Sequence, residues 1–144
     1  MYLLHGKNIT CGYDNVDILS ECTVGVKKGK IASIVGPNGA GKSTAMKSIF
    51  GLLKIKIGEI ILDNEDITNL LPQERVLKGM GYVPQNNNIF PTLSVQENLE
   101  MGAFIQNEDF SDILYYVYDL FPVLKEKRNQ QAGELSGGQR QQVA

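Results

Sequence analysis

The chain has 144 residues, of which 42% are hydrophobic and 21% charged, a balance that suits one globular domain with a real core. A net charge of −2 argues against a protein that coats nucleic acid with basic surface, although one nucleotide needs only local positive charge. The sequence has no apolar run near the roughly 20 residues that span a bilayer, and its start shows no signal-peptide pattern. We therefore expect a soluble, cytoplasmic chain without a nucleic-acid partner.

The cysteines and the histidine carry no metal-binding pattern. Cys11 and Cys22 do not form a CxxC pair, and the only histidine, His5, is not spaced with them as a metal ligand. We therefore expect two reduced thiols.

The first third of the chain predicts strands, a loop and a helix. Apolar side chains at short spacing over 18–26 predict a strand, and the lysine- and glycine-rich residues 27–30 predict a turn. The apolar run 31–35, which ends at Gly36, is typical of a buried strand. A helix is predicted from Gly41 onward, which makes a strand–loop–helix unit of the kind found in open α/β folds. Its expected apolar face consists of Ala45, Met46, Ile49, Leu52 and Leu53.

The middle of the chain predicts two more strands and a short helix. Residues 59–63 predict a strand that closes on a turn, and 81–83 predict a brief strand that stops at Pro84. Residues 72–77 predict a helix with proline in its first turn.

The pattern becomes helical from Ser94. Ser94 and Glu97 fit a capping box, in which each side chain bonds the other residue's amide. A second helix follows, ends near Pro122 and precedes a polar, solvated linker over 125–131. It carries an apolar stripe that is more typical of helix packing than of a cofactor site. The stripe consists of Phe110, Ile113, Leu114, Val117, Leu120 and Phe121, with Tyr115, Tyr116 and Tyr118 beside it.

Residues 36–44 satisfy the P-loop pattern G-x-x-x-x-G-K-[ST]. Its glycines let the backbone curl so that successive amides point at one anion, and the following helix adds the positive end of its dipole. Lys42 can reach the β- and γ-phosphates, and the hydroxyl of Ser43 suits Mg²⁺. A chance glycine-rich turn is the alternative, but the strand predicted before the loop and the helix predicted after it favour phosphate binding.

Residues 135–139 form a second motif, LSGGQ. Ser136 suits a helix N-cap, while Gly137 and Gly138 leave amides bare, so the motif predicts a second anion site at a helix start. An ordinary capped helix after a glycine turn is the alternative. The position of LSGGQ downstream of a P-loop, with a helical insert between them, favours the anion site.

These motifs resemble the nucleotide-binding domain of an ABC ATPase, and the resemblance covers essentially the whole chain. Residues 36–44 match the Walker A loop, 135–139 the family signature and 82–85 the Q-loop, and 12–19 resemble the aromatic loop. The resemblance implies an α/β P-loop NTPase fold, with a mixed sheet core, an antiparallel β part and a helical subdomain.

The family pattern also implies a division of the chain. The core with its antiparallel part and Q-loop would span 1–92, the helical subdomain 93–134, and the signature with the start of its helix 135–144.

The same pattern implies roles for individual residues. Lys42 and Gln85 would be catalytic, Ser43 and Gln85 would hold Mg²⁺, and Tyr13 would stack on the adenine of ATP. A tyrosine in a turn is otherwise an ordinary surface or core residue. The implied nucleotide contacts are Gly36, Pro37, Asn38, Gly39, Ala40, Gly41, Lys42, Ser43 and Thr44, with Leu135, Ser136, Gly137, Gly138 and Gln139 serving a partner's ATP.

The resemblance further implies partners. Two such domains pair head to tail, as a homodimer or heterodimer, with ATP between the Walker A loop of one and the signature of the other. Phosphoryl transfer depends on positioning and charge, so a shared site is workable. The pair would drive transmembrane permease subunits, fed by a substrate-binding protein, at the inner face of the cell membrane.

The sequence departs from the family pattern after the signature. The family continues with the Walker B carboxylates and a switch histidine, which this sequence does not contain. Residues 60–63 form an apolar run that ends in aspartate, but they are a poor Walker B candidate because Asn64 follows and the family has a peripheral antiparallel strand there. His5 is a poor candidate for the switch histidine because it lies far upstream. We therefore expect a partial domain that binds ATP, is inactive alone without its general base, and leaves part of its core exposed.

The substrate is suggested by a finer resemblance. Residues 84–104 and 58–68, with the helix at Pro72, are similar to the ATPase subunits of branched-chain amino-acid importers. A soluble ABC ATPase of translation or DNA repair is one alternative, although it would need a second ATPase domain or a long coiled coil. A nucleotide-binding regulator without turnover is the other.

Overall fold

The computed structural model describes residues 2–104 and 109–144, which form two compact units, Met1–Gly81 and Tyr82–Ala144. Residues 105–108 of the predicted helical insert lie outside this description. Within the described residues, no helix has the length and apolar character needed to cross a membrane.

The first unit contains a four-stranded sheet. Its strands are β1 (Leu4–Tyr13), β2 (Val16–Val26), β3 (Ile57–Leu62) and β4 (Glu65–Asp66). They lie in the order β2–β1–β3–β4, and every neighbouring pair is antiparallel. The strands predicted over 18–26 and 59–63 are therefore confirmed. Because residues 60–63 fall in and after an antiparallel strand, their aspartate does not occupy the Walker B position.

Two helices complete this unit: α1 (Lys42–Phe50) and α2 (Pro72–Leu77). The core joins the sheet to α1 and includes the buried Cys11 thiol. Burial raises the pKa of this thiol. The buried residues are Ile9, Cys11, Leu19, Ala45, Ile49, Ile60 and Ile67.

The predicted apolar face of α1 is only partly correct. Ala45 and Ile49 are buried, but Met46 and Leu52 are exposed, and Ser48 completes the buried face. The helix ends at Gly51, which adopts a left-handed conformation with φ 82°, so Leu52 no longer follows the helical period.

The strand predicted over 31–35 is not formed. Ile31 and Val35 are 100% and 88% exposed. A strand needs a neighbour to receive its backbone hydrogen bonds, and none of the strands in the described residues pairs with this segment. The brief strand predicted over 81–83 is absent from the described structure for the same reason, whereas the turn over 27–30 is confirmed by a bond from the Lys30 amide to the Lys27 carbonyl (3.1 Å).

The second unit is helical. Its elements are α3 (Val95–Gly102), α4 (Ser111–Leu120), α5 (Pro122–Glu126), a 3-10 turn (Ala132–Glu134) and α6 (Gly137–Val143). The capping box before α3 is confirmed, because the Ser94 amide donates to the Glu97 carboxylate (2.7 Å) and the Glu97 amide donates to the Ser94 hydroxyl (3.2 Å). The bond from the Ser94 amide lowers the pKa of Glu97. The core consists of Val95, Tyr118, Leu124, Ala132, Leu135 and Val143.

The apolar stripe of α4 is rotated from its predicted position. Leu114, Val117 and Phe121 pack against the core, but Ile113 and Leu120 are exposed and Tyr118 is buried. At about 100° per residue, Leu114 and Phe121 lie at the centre of the buried arc and Tyr118 lies at one edge of it. Ile113 and Leu120 lie beyond the opposite edge.

The segment after α4 is more ordered than predicted. Pro122 begins α5 instead of a simple turn. The expected solvated linker is tied to the start of α3, because the Arg128 and Gln130 carbonyls accept bonds from the Gln96 and Val95 amides (each 3.0 Å).

Candidate nucleotide-binding site

The P-loop, residues 36–44, leads directly into α1. Gly39 and Gly41 have φ values of 87° and 82°, a region that glycine enters without strain. A side chain at Gly41 would also meet the Leu19 Cδ2 atom at 2.7 Å. Both observations explain why the turn into the helix carries glycine at this position.

The N-terminal end of α1 is free of competing side chains. Among the described residues, none caps this helix through its side chain, and its first turn contains no acidic residue. The end of a helix left in this way presents unpaired amides and the positive end of the dipole, which together favour an anion.

Lys42 lies across the start of the loop. Its Nζ atom donates to the carbonyl oxygens of Gly36 (2.9 Å) and Pro37 (2.7 Å). These bonds hold an ammonium at the mouth of the loop, where an anion on the helix amides would meet it. The loop carbonyls are neutral acceptors, so a phosphate oxygen would be a stronger partner for the same group.

The two hydroxyl residues after Lys42 differ in accessibility. Ser43 is exposed, whereas Thr44 is buried in the first turn. Ser43 can therefore offer its hydroxyl to a hydrated cation beside a phosphate, while Thr44 can contribute to an anion site only through its amide.

Tyr13 lies against the same helix. It ends β1, its side chain is 46% exposed, and the Lys47 ammonium lies 5.9 Å from its ring centroid, within cation–π range. The aromatic ring and the P-loop are thus both attached to α1. The sequence did not single out Lys47; its only signal was a second lysine five residues after Lys42 on the predicted helix.

The signature motif forms the start of α6 in the second unit. Leu135 is buried, and the Ser136 hydroxyl accepts a bond from the Gln139 amide (3.3 Å) while the Ser136 amide donates to the Gln139 side chain (3.2 Å). The predicted helix start and N-cap are therefore confirmed. An added Cβ at Gly137 or Gly138 would meet no atom within 4 Å, so local packing in the described chain does not require these glycines.

Gln85 is exposed near the start of the second unit, in the bend that follows Pro84. The predicted site residues therefore form two groups. Tyr13 and residues 36–44 lie together in the first unit, and Gln85 and residues 135–139 belong to the second.

The second unit also has a cavity of about 460 Å³ that is open to solvent. Mostly apolar side chains line it, among them Phe90, Leu99, Met101 and Val117. The buried Asn98 side chain forms part of the wall, and its amide nitrogen donates to the Phe90 carbonyl (3.0 Å). No sequence pattern had indicated this cavity.

A glycine-rich loop that runs into an uncapped helix start, with a lysine at its mouth, defines the P-loop NTPase class. Residues 19–144 match the family model described as ABC transporter. The chain belongs to the ABC transporter family and has the fold of its ATP-binding cassette.

Individual relatives agree with this assignment. The chain is 40% identical over 143 residues to a probable branched-chain amino acid transport ATP-binding protein LivF of Archaeoglobus fulgidus, covering 99% of this chain and 61% of the relative. It is 35% identical, with the same coverage, to the high-affinity branched-chain amino acid transport ATP-binding protein BraG of Pseudomonas aeruginosa. The ADP conformation of MJ1267, an ATP-binding cassette of an ABC transporter, superposes with a TM-score of 0.80 at 32% identity, over 99% of this chain and 62% of that structure. The chain thus spans about three fifths of the length of these relatives.

Proposed function

We propose that the complete protein is the ATP-binding subunit of an ABC transporter and uses the binding and hydrolysis of ATP to drive import. The observation that carries this proposal is the pairing of Lys42, held across the P-loop, with an uncapped N-terminus of α1. That pairing concentrates positive charge and free amides where a triphosphate would lie.

Each residue group has a distinct role in this proposal. The amides of residues 36–44 and the Lys42 ammonium bind the phosphates, and Tyr13 stacks on the adenine through its exposed ring. Ser43 and Gln85 are the proposed Mg²⁺ ligands; both side chains are exposed, as contact with a hydrated cation requires. When bound, Mg²⁺ neutralises phosphate charge. Gln85 also orients the attacking water.

The second anion site serves a partner domain. The open space before Gly137 and Gly138 leaves their amides accessible to a phosphate that another subunit holds. We propose a head-to-tail pair in which Ser136, Gly137 and Gly138 contact the γ-phosphate bound by the other subunit.

The membrane partners and the substrate rest on the relatives. The two branched-chain amino acid transport proteins support permease subunits as partners, a location at the inner face of the cell membrane, and branched-chain amino acids as cargo. The apolar cavity of the second unit supports contact with a permease segment.

ATP binding is tested with Lys42→Ala. The substitution removes the ammonium that spans the loop, and we expect the affinity for ATP to fall by at least about 100-fold, the value of a charge-assisted contact to phosphate. Isothermal titration calorimetry measures it. Lys54→Ala is the matched control, because this exposed lysine lies just after α1. Equal ATP affinities for the two variants would refute the phosphate assignment.

The head-to-tail pair is tested by mixing two defective subunits of the complete protein. A Lys42→Ala subunit keeps its signature, and a Ser136→Arg subunit keeps its P-loop, so the mixture contains one intact shared site per pair. We expect ATP-dependent dimers in the mixture and almost none with either variant alone, as measured by analytical ultracentrifugation. Dimers of both variants alone would contradict the shared site.

A further inference from the structure

Arg75 is the largest side chain that is fully buried in the first unit, with only 2% of its surface exposed. Within residues 2–104 and 109–144, no carboxylate forms an ion pair with it. A buried guanidinium is costly unless its donors are satisfied, so its partners identify what this charge is for.

Among the described residues, all hydrogen-bond partners of the guanidinium are backbone carbonyl oxygens. Two of them, Ser48 and Ile49, belong to the last turn of α1, and the Nη1 atom donates to both (3.3 Å to Ser48). The Nε and Nη2 atoms donate to the carbonyls of Leu70 (3.0 Å) and Thr68 (2.9 Å), in the segment before α2. One side chain therefore joins the C-terminal end of α1 to a segment some twenty residues further along the chain.

Gly51 is shaped for this contact. A Cβ at Gly51 would lie 2.9 Å from Nε and 3.0 Å from Cζ of Arg75, so the guanidinium lies directly on the backbone that ends α1. A cation at this place also faces the negative end of the helix dipole. Burial lowers the pKa of the Arg75 guanidinium.

The other end of α1 carries the P-loop. The helix has nine residues, so its two ends lie only about 13 Å apart on one rigid element. Its first intrahelical bond, from the Ala45 amide to the Gly41 carbonyl (2.9 Å), directly follows the loop. Any shift or rotation of the C-terminal end of α1 therefore displaces the amides that face the phosphate.

We propose that Arg75 is a positioning residue for ATP binding: by holding the C-terminal carbonyls of α1, it sets the orientation in which the P-loop amides and Lys42 meet the phosphates. This role rests on the proposed function of the P-loop. Arg75 acts through α1 and does not itself touch the nucleotide.

The test compares four variants of the 144-residue chain. Arg75→Lys keeps the charge but offers one nitrogen, which cannot reach carbonyls on both α1 and the segment before α2. Arg75→Met keeps most of the volume and removes every donor. Arg128→Lys makes the same Arg-to-Lys substitution at an exposed arginine. Ile60→Val weakens the core of the same unit from strand β3, which carries none of the carbonyls bonded to Arg75.

Two readouts are needed, ATP affinity by calorimetry and hydrogen exchange of the Ala45 amide without nucleotide. For Arg75→Lys we expect about tenfold weaker ATP binding, the value of roughly one lost hydrogen bond to phosphate, at a temperature where the variant is folded. The Ala45 amide should exchange faster relative to the amides of β1. Arg128→Lys and Ile60→Val should change the affinity by less than twofold, although Ile60→Val melts at a lower temperature.

The outcomes separate the alternatives. If Arg75→Lys lowers the melting temperature but binds ATP as the wild type does, Arg75 is only a structural cap and the proposal is overturned. If the wild type and Lys42→Ala bind ATP equally, the proposed function fails. The positioning role of Arg75 is then judged from hydrogen exchange alone: it is refuted if the Ala45 amide of Arg75→Lys is as protected, relative to the amides of β1, as in the wild type. If Arg75→Met does not fold, ATP affinity and Ala45 exchange can still be measured with Arg75→Lys.

Discussion

The Lys47 ammonium lies over the ring of Tyr13, 5.9 Å from its centroid, and so ties the end of β1 to the helix that follows the P-loop. The contact uses one face of the ring, and Tyr13 remains 46% exposed. Lys47 lies five residues after Lys42 on α1, so this one helix holds both the end of the glycine-rich loop and the Tyr13 ring.

The aromatic platform can be tested separately from the phosphate site. Tyr13→Leu should weaken ATP binding about tenfold, because stacking on an aromatic side chain contributes about 1–3 kcal/mol per base. Tyr13→Phe keeps the ring and should bind as the wild type does. Calorimetry with inorganic triphosphate is the control, since this ligand has no base and should not distinguish the variants. Loss of triphosphate affinity in Tyr13→Leu would show that the substitution disturbs the loop instead.

Gly41 should be intolerant of any side chain. Gly41→Ala combines a φ of 82° with a contact of 2.7 Å to Leu19, and we expect a loss of about 2–4 kcal/mol in the free energy of unfolding. Gly29→Ala is a matched control, because Gly29 has a φ of 68° but no atom near its absent side chain. Gly29→Ala should lose only about 1 kcal/mol in the free energy of unfolding, the cost of placing alanine in a left-handed backbone conformation. Urea unfolding measures both, and equal losses would contradict the steric part of the argument.

The signature glycine should separate stability from pairing. Gly138→Ala adds a methyl group that meets no atom of the described chain and favours the helix, so the unfolding free energy should stay the same or rise by up to about 1 kcal/mol. ATP-dependent dimerisation of the complete protein should fall at least about tenfold, the effect of obstructing one close amide–phosphate contact. Unfolding and sedimentation experiments measure the two quantities. A variant that pairs normally would argue against a role for Gly138 at the interface.

The capping box before α3 makes local stability depend on pH. The pKa of Glu97 is lower in the folded chain than in the unfolded one, mainly because the Ser94 amide binds the charged carboxylate. Its contribution is therefore complete above the usual glutamate pKa of 4.5 and is lost as the pH falls through the lowered value. Glu97→Gln should remove this acid dependence. Hydrogen exchange at the start of α3, followed from pH 6 to pH 3, measures it; a parallel acid response in both proteins would exclude Glu97 as its source.

Local patterns predicted the helix starts of the candidate site better than they predicted the sheet. The P-loop and the two helix starts at Ser94 and Ser136 depend on bonds between residues three to six apart, so a short sequence contains all that is needed. Whether 31–35 becomes a strand depends on a neighbouring strand, which its own residues do not supply. Arg75 was missed for a similar reason, because its acceptors on α1 lie 26 and 27 residues away and an isolated arginine in a short helix is normally expected at the surface.

The two cysteines of the first unit, Cys11 and Cys22, differ in their accessibility to a thiol reagent. Cys11 is fully buried in the core between the sheet and α1, whereas Cys22 on the neighbouring strand is only partly covered. Alkylation of Cys11 therefore requires the sheet and α1 to separate, while Cys22 reacts without that opening. The alkylation rates of the two thiols can therefore be compared within one experiment. A nucleotide that stabilises α1 would slow the alkylation of Cys11 but not that of Cys22.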